Sequence, residues 1–398
     1  MKEGWEYKKL GEVATFTRGL TYSKNDEAEI SDNIVLRSNN VDLLTGKLNF
    51  DELKYLKPEF LIPEEKKVKK GSLLMCMSNG SKIHLGKVAL INDDYPYAFG
   101  GFMALVTPNE ELNPQFFNYS LLSPEYKDFI KKLSEGANIN NIKVKELELF
   151  TIPVPPLSEQ QSIVDYLNSA FAKIDAMKAN AEKALNEAKA LFQASLKEML
   201  EPKEGWEEKN LGDICEIIRG KRFVRTDIIE NGVPCIHYGD IYTHYGLSVK
   251  KTRGCINPEL AKKMRFAEKN DVVVVQAGEN NWDIGVGVAY FGEEPAAVHD
   301  ACFILKHKQN PMYISYYLRS YNYHRYLVDY VHEGKICSFL KPALENAPIP
   351  LPPFSEQQSI VATLDSLKSK VDRLQANYEK ISQECDALKQ AILRQVFE

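Results

Sequence analysis

Two short segments of this 398-residue chain have the residue types of catalytic motifs. Asn113-Pro114-Gln115-Phe116 is close to the Asn-Pro-Pro-Tyr/Phe motif of amino-methyltransferases, but glutamine replaces the second proline. Asp42 followed by Glu52-Leu53-Lys54 imitates a nuclease Asp…Glu-x-Lys set, which chance often produces in a lysine-rich chain. The sequence has neither a Gly-x-x-x-x-Gly-Lys-Ser/Thr phosphate loop nor a Gly-x-Ser-x-Gly nucleophile motif. We therefore expect no catalytic site and interpret Asn113-Pro114 as a helix start.

The cysteines and histidines show no metal-binding pattern. The seven cysteines include no Cys-x-x-Cys pair, and their odd number and long spacing indicate neither a disulfide framework nor a zinc ribbon. The seven histidines contain no His-Glu-x-x-His motif. We therefore expect no metal and no cofactor bound to this chain.

The charge balance is not that of a free-standing nucleic-acid binder. The chain has 50 basic and 55 acidic side chains, giving a net charge of -5, whereas such binders usually have a basic excess. Three local basic clusters nevertheless occur: Lys66-Lys67 with Lys69-Lys70, Lys221-Arg222 with Arg225, and Lys250-Lys251 with Arg253. If the chain binds DNA, we expect partner proteins to make most of the phosphate contacts.

The longest apolar runs, such as Val272–Val275, are strand-sized and too short for a membrane span. The amino-terminal residues have no apolar core of a secretory signal. These features predict a cytoplasmic protein.

The sequence is a tandem repeat of about 200 residues. The segment Gly4-Trp5-Glu6 with Leu10-Gly11 returns as Gly205-Trp206-Glu207 with Leu211-Gly212, and Arg18-Gly19 returns as Arg219-Gly220. The segment from Val154-Pro155-Pro156 to Ser158-Glu159-Gln160-Gln161 returns from Leu351-Pro352-Pro353 to Ser355-Glu356-Gln357-Gln358. Chance does not produce ordered matches of this length.

Between these matches the two copies keep their apolar residues and change their polar ones. Leu36-Arg37-Ser38-Asn39-Asn40-Val41 corresponds to Ile236-His237-Tyr238-Gly239-Asp240-Ile241. The strand-like segments beginning at Gly71 and Asn270 also correspond, and they end in different polar residues. One scaffold therefore carries two different polar surfaces, although neutral drift of surface loops would also produce such a difference.

A long helix is predicted at the end of each copy, over residues 159–200 and 356–397. Each follows Pro-Pro, and Ser158 with Gln161 (repeated as Ser355 with Gln358) has the form of a capping box. Apolar residues then recur with 4-3 spacing, which is typical of a coiled-coil seam. The first predicted seam is Ile163, Leu167, Ala170, Ile174, Met177, Ala181, Ala184, Ala188 and Leu191. The second is Ile360, Leu364, Leu367, Val371, Leu374, Tyr378, Ile381, Cys385, Leu388 and Ile392.

The predicted fold class is α+β, with two globular heads separated by an antiparallel intramolecular coiled coil. We divide the chain into head 1 (residues 1–157), a central long helix (158–201), head 2 (202–354) and a carboxy-terminal long helix (355–398). If the ends of each head lie close together, the second helix must return to the first head, which makes the pairing antiparallel and the heads related by a pseudo-twofold axis. The tyrosine-rich run from Tyr313 to Tyr330 is interpreted as helix core, with base stacking as the alternative.

In this arrangement the chain resembles the specificity subunits of Type I restriction-modification systems. The resemblance rests on the doubled Pro-Pro-Leu/Phe-Ser-Glu-Gln-Gln with its heptad helix and on the head openings at Trp5 and Trp206, and it covers essentially the whole chain. It implies two target-recognition domains that each read one half of a bipartite, asymmetric double-stranded DNA sequence. It also implies that the helices act as a spacer and dock two methyltransferase subunits, joined by restriction-translocase subunits. Those partners would hold S-adenosylmethionine, ATP and Mg, and this subunit would be non-catalytic.

The spacer role agrees with DNA geometry, because half-sites read from one side lie about 34–36 Å apart or a multiple of it. By position, we expect base contacts from polar loops that border the shared strands, with Arg suited to guanine and Asn or Gln to adenine. The predicted DNA-binding residues of head 1 are Arg37, Ser38, Asn39, Asn40, Ser78, Asn79, Lys82, Asn138 and Asn140. Those of head 2 are His237, Tyr238, Asp240, Gln276, Glu279, Asn280, Asn281 and Lys335.

Two other classes of function stay open on the sequence alone. One is a coiled-coil scaffold whose heads bind proteins and do not contact DNA. The other is a self-sufficient methyltransferase or nuclease, which would require cofactor or metal motifs that we do not find.

Overall fold

The structure is a computed structural model that describes residues 4–43, 45–135, 141–281, 283–332, 334 and 336–398. The chain divides into two compact units. The first contains Met1–Glu182 and Tyr378–Glu398, and the second contains Lys183–Asn377. Each unit therefore holds one head, one half of the first long helix and one half of the second.

The first half of the chain begins with short strands and ends in a long helix. Its strands are β1 Glu6–Lys9, β2 Ala14–Arg18, β3 Glu27–Ala28, β4 Ile34–Leu36, β5 Lys54–Leu56, β6 Leu73–Cys76, β7 Val88–Leu90, β8 Ala98–Phe99, β9 Met103–Pro108 and β10 Thr151–Val154. Its helices are α1 Leu10–Val13, α2 Pro114–Ser120, α3 Pro124–Glu135, α4 Val144–Leu147 and α5 Leu157–Met199, with 3-10 turns at Lys24–Asp26, Ser38–Asn40, Glu64–Lys66 and Lys82–His84.

The second half of the chain repeats this order with additional strands. Its strands are β11 Glu207–Asn210, β12 Cys215–Arg219, β13 Ile228–Ile229, β14 Val233–Ile236, β15 Ser248–Val249, β16 Gly254–Ile256, β17 Phe266–Ala267, β18 Val272–Val275, β19 Ala277–Gly278, β20 Gly287–Tyr290, β21 Ala296–Val298, β22 Cys302–His307, β23 Cys337–Ser338 and β24 Pro348–Leu351. Its helices are α6 Leu211–Ile214, α7 Tyr238–Thr243, α8 Pro258–Ala261, α9 Pro311–Tyr317, α10 Tyr321–Val328, α11 Lys341–Glu345 and α12 Phe354–Phe397, with a 3-10 turn at Arg225–Asp227.

Each head contains two larger sheets. In head 1 their strand orders are β2-β9-β6-β7 and β3-β5-β4-β8, and in head 2 they are β12-β22-β18-β20-β15 and β13-β16-β14-β21-β17. A further antiparallel pair, β1 with β10 or β11 with β24, joins the first strand of each head to its last. The mixture of short strands and helices confirms the α+β prediction. The division into four segments stays a prediction.

The two long helices pair antiparallel, as predicted. In the first unit, Lys389 Nζ lies 2.5 Å from a carboxylate oxygen of Asp175, and Lys178 Nζ lies 3.7 Å from one of Asp386. Residue numbers thus rise along α5 while they fall along α12. In the second unit, Phe192 and Leu196 of α5 share a core with Leu364 of α12.

The predicted seam of α5 is buried or half-buried as far as Ile174 and is wrong at three later positions. Met177, Ala184 and Leu191 are exposed, whereas the residues that follow them, Lys178, Leu185 and Phe192, are half-buried or buried. The seam still has 4-3 spacing, and it contains Leu167, Phe171, Ile174, Lys178, Ala181, Leu185, Ala188 and Phe192. Two 4-3 patterns share half of their positions in this alanine-rich helix. The bulk of the phenylalanines and Leu185 determines which pattern is buried.

In α12 the predicted seam is buried or half-buried as far as Cys385. Leu388 is then exposed, whereas Ile392 is half-buried and the neighbouring Leu393 is buried, so the predicted seam of α12 is wrong only at Leu388.

The Ser-x-x-Gln segments are not capping boxes. The long helices already begin at Leu157 and Phe354, because the amides of Glu159 and Gln160 donate to the carbonyl of Pro156. Ser158 therefore lies inside α5, where its carbonyl accepts from the hydroxyl of Ser162.

The glutamate and the first glutamine of this segment instead join each head to its helix. The indole Nε1 of Trp5 donates to Glu159 at 2.9 Å, and that of Trp206 donates to Glu356 at 3.1 Å. The repeat at the start of each head and the repeat at the start of each helix thus meet in one contact.

Two buried glutamines complete this junction. Gln160 and Gln357 are 0% and 1% exposed. The Oε1 of Gln160 accepts from the Asn113 amide at 2.8 Å, and its Nε2 donates to the Pro155 carbonyl at 2.8 Å. Gln357 makes the same pair of bonds, with Asn310 and Pro352, at 3.0 Å each. We call these two sets of contacts the head–helix junctions.

The junction asparagines also start a helix, which confirms the interpretation of Asn113-Pro114. The side chain of Asn113 accepts from the amides of Gln115 and Phe116 and so caps α2. Asn310 caps α9 in the same way through Met312 and Tyr313.

The prediction that the tyrosines of head 2 form helix core is confirmed for Tyr313, Tyr316, Tyr317 and Tyr323, which are buried. It is wrong for Tyr321 and Tyr330, which are exposed. The hydroxyls of Tyr313 and Tyr317 donate to backbone carbonyls of β24, and that of Tyr316 donates to Asp365 of α12.

Candidate nucleic-acid interface

The predicted polar segments lie where two parallel strands end side by side. Strand β4 runs parallel to β8, and β14 runs parallel to β21. The 3-10 turn at Ser38–Asn40 follows β4, and helix α7 follows β14. In each head this places the segment beside the turn that begins at Gly100 or His299.

A repeated glycine allows the chain to pass close to that turn. A Cβ atom on Gly19 would lie 2.0 Å from the carbonyl oxygen of Gly100, and one on Gly220 would lie 2.1 Å from that of His299. Both distances are too short for any side chain, which gives a physical reason for the repeated Arg-Gly.

In head 2 these elements line a cleft of about 380 Å³. Three predicted residues, His237, Tyr238 and Glu279, contribute to its wall. Its other lining residues are Arg222, Phe223, Val224, Arg225, Gly239, Tyr242, His299 and Asp300. The cleft thus combines cationic, anionic and aromatic groups.

The floor of the cleft is a cluster of aromatic rings. The ring centroids of His237 and His299 are 4.7 Å apart, and that of Phe223 lies 5.1 Å from His299. Burial lowers the pKa of His237 to about 4, and it also lowers the pKa of His299. Both rings are therefore neutral at pH 7. The Nδ1 of His237 accepts from the Gly239 amide at 3.3 Å and that of His299 from the Ala301 amide at 3.0 Å, so the acceptor of each ring is engaged and its other nitrogen is a donor.

The remaining predicted residues of head 2 differ in their exposure and in the partners of their side chains. The Oδ1 of Asp240 lies 3.8 Å from the Nη1 of Arg253 and 3.6 Å from the Nδ1 of His244. Asn280 is exposed and donates to Asp283 at 3.0 Å, and Asn281 is half-buried. Gln276 is buried and donates to the carbonyl of Phe339, so we leave it out of the proposed contact surface. Lys335 lies outside the described residues.

In head 1 the structure brings several predicted residues together. Asn79 donates to the hydroxyl of Ser38 at 2.8 Å. The amide of Ser78 donates to the carbonyl of Phe102 at 3.2 Å. Arg37 is half-buried, and no described residue accepts a hydrogen bond from its Nε. These side chains form a polar face beside the Gly100 turn.

Three other predicted residues of head 1 lie less favourably for base contacts. Asn40 is 0% exposed, and its amide group bonds to the backbone of Arg37, Asn49 and Glu52, so we leave it out of the contact surface. Asn39 donates to the Glu52 carboxylate at 3.1 Å. Lys82 donates to the carbonyl of Ser134 at 2.9 Å. Asn138 and Asn140 lie outside the described residues.

Sequence reasoning did not include several residues that share these faces: Arg222, Arg225, His299, Asp300 and Phe102. The arginines had been recognised only as a basic cluster. A usable signal was the repeated Arg-Gly, since the residues after Gly220 and the turn at His299 approach each other at that glycine.

None of the described helices has the length and apolar character needed to cross a membrane.

Comparison with known proteins identifies the scaffold. Residues 2–187 and 203–383 each match the type I restriction modification DNA specificity domain. A curated relative, the Type I restriction enzyme StySPI specificity subunit of Salmonella potsdam, is 33% identical over 199 residues. That alignment covers 49% of this chain and 42% of the relative, so the chain matches less than half the length of that relative.

Two solved structures share the fold. One is a chain from a structure that concerns complex assembly and conformational transition of the type I R-M system, with a TM-score of 0.75 at 22% identity and coverage of 99% of this chain and 97% of that one. The other is the HsdS subunit from Thermoanaerobacter tengcongensis, with a TM-score of 0.59 at 22% identity and coverage of 100% and 97%. Since both copies of the repeat match the same domain, the chain belongs to the family of type I restriction modification DNA specificity proteins.

Proposed function

We propose that this chain is the DNA-recognition subunit of a Type I restriction-modification complex. Each head reads one half of a bipartite, asymmetric double-stranded DNA site. The observation that carries the proposal is the repeated head–helix junction, which holds two heads with different polar faces in the same local arrangement.

The chemistry of the two faces supports sequence reading. Arginine makes bidentate contacts with guanine, and Arg222 and Arg225 line the head 2 cleft. The neutral His237 ring, whose Nδ1 already accepts from the Gly239 amide, adds a hydrogen-bond donor at Nε2 without a net charge. In head 1, Arg37, Ser38 and Asn79 supply a different set of donors and acceptors, and an asymmetric target follows from this difference.

The paired helices α5 and α12 act as the spacer and dock two methyltransferase subunits. Restriction-translocase subunits complete the complex, which works in the cytoplasm on host DNA. The partners hold S-adenosylmethionine, ATP and Mg, and this chain is non-catalytic. Its near-balanced charge supports the assignment of most phosphate contacts to the partners.

Methylome sequencing of the host with and without this chain tests the proposal. A DNA reader creates a methylated motif in two parts that disappears with the chain. A scaffold that binds only proteins leaves no motif that depends on the chain. Methyl transfer by the purified chain alone would contradict the assignment of the chemistry to partner subunits.

A further inference from the structure

An exposed phenylalanine lies in the polar face of head 1. Phe102 is 72% exposed. Its carbonyl accepts from the amides of Met77 at 2.9 Å and Ser78 at 3.2 Å, so it lies beside the predicted contact residues Ser78 and Asn79. A large aromatic side chain in water forgoes the free energy of burial, and its position in a polar face requires a reason.

The backbone that carries Phe102 is fixed on several sides. The amide of Gly100 donates to Leu36 at 2.9 Å, and the amide of Met103 donates back to Gly100 at 2.8 Å. Gly19 packs directly against the Gly100 carbonyl. The ring is therefore presented to solvent from a well-anchored turn.

A second exposed apolar side chain of head 1 is close in sequence to Asn79. Ile83 is 68% exposed and belongs to the 3-10 turn Lys82–His84, which follows Asn79. The turn of head 2 that corresponds to Gly100-Gly101-Phe102 has a different character, because it consists of His299, Asp300 and Ala301.

The chemistry of DNA limits what an apolar group can read. Phosphates, sugars and most base edges in the major groove offer hydrogen-bonding atoms, whereas thymine offers a methyl group at C5. We propose that Phe102 contacts the thymine methyl group in the half-site read by head 1 and is a specificity-determining residue. This inference rests on the proposed function and gives the chemical identity of one base in that half-site.

The test uses the chain in complex with the methyltransferase subunit of its own host and the two-part motif obtained by methylome sequencing. Each thymine of the head 1 half-site is replaced in turn by uracil, which lacks only the methyl group, and binding is measured by competition. We expect one uracil to weaken binding by about fourfold, since burial of one methyl group contributes about 0.8 kcal/mol.

The variant Phe102→Ala should bind the thymine and uracil duplexes equally, and Phe102→Leu should keep part of the discrimination. Leu149→Ala is the matched control, because Leu149 is also a large exposed residue of head 1 and lies outside this face. It should keep the full discrimination. Uracil effects in the head 2 half-site should be the same in wild type and Phe102→Ala.

Three results would overturn the inference alone: a head 1 half-site without an A·T pair, uracil duplexes that bind like thymine duplexes, or unchanged discrimination in Phe102→Ala. An equal loss of binding to both duplexes in Phe102→Ala, with discrimination kept, would indicate a wedge between bases instead. If the wild-type complex recognises no two-part sequence, the proposed function fails and the inference fails with it.

Discussion

The two heads share their junction with the long helices and differ in the face that we assign to DNA. At the junction, Trp5 and Trp206 make the same bond to glutamate, and the two buried glutamines make matching bonds. At the face, Arg37 of head 1 corresponds to the neutral His237 of head 2, and exposed Phe102 corresponds to Ala301. The molecule thus keeps the contacts that position each head and varies the groups that each head presents.

The largest expected effect tests the constant part of this comparison. Gln160→Leu or Gln357→Leu should each lower the free energy of unfolding by about 3 kcal/mol, because each leaves a half-buried amide and a buried carbonyl without this partner. Denaturant unfolding measures the loss. Gln358→Leu is the matched control, since Gln358 is exposed, and it should change stability little. A similar loss in all three variants would mean that the buried amides are not what fixes the junction.

Corresponding residues of the segments that follow β4 and β14 should differ in their effect on stability. Asn40→Ala should cost about 2 kcal/mol, since Asn40 is buried and its amide group bonds to three backbone groups. Its counterpart Asp240 makes only half-exposed ion pairs, so Asp240→Ala should cost less than about 1 kcal/mol. Thermal unfolding of both variants measures the two losses of stability. Equal losses would contradict this prediction.

Replacing a single arginine should weaken the recognition of one half-site only. Arg37→Ala should weaken cognate binding of the assembled complex by ~1–3 kcal/mol and relax preference only in the head 1 half. Arg225→Ala should do the same for the head 2 half. Binding to duplexes altered in one half at a time measures this separation. Unchanged affinity and preference would remove the residue from the proposed contacts.

Acid should affect head 2 more than head 1. Burial lowers the pKa of His237 to about 4, while Asp240 partly opposes this shift and His299 and Arg225 add to it. A His with a lowered folded pKa binds fewer protons than in the unfolded chain. Its contribution to stability is therefore complete above its ordinary pKa near 6.5 and falls as the pH approaches 4.

Between pH 7 and pH 5 we expect head 2 to lose about 2 kcal/mol more than head 1 through His237 alone. His307 of β22, whose pKa burial also lowers to about 4, enlarges this difference. Hydrogen exchange resolved by head measures this difference, and His237→Gln should reduce it. Equal protection of the two heads at pH 5 would contradict the expectation.

The sequence predicted the repeated framework better than the groups around it. Repeats and 4-3 spacing were enough for the long helices, because both depend on local pattern. The α5 seam was displaced from Met177 onward because alanines fit two registers, and strict 4-3 spacing gives an alanine the same weight as the bulkier Leu185 and Phe192. Asn40 shows why the contact residues are harder to predict. The sequence pattern of an asparagine after a strand is the same whether its amide faces a base or bonds to the backbone of Glu52.

The central claim is that each head reads its half-site independently from an equivalent junction. It is tested most directly by a chain in which residues 5–154 replace residues 206–351, so that head 1 occurs twice. Methylome sequencing of a host carrying this chain should show a motif whose two halves are both the head 1 half-site. A second half that still matches the native head 2 half-site would contradict the account.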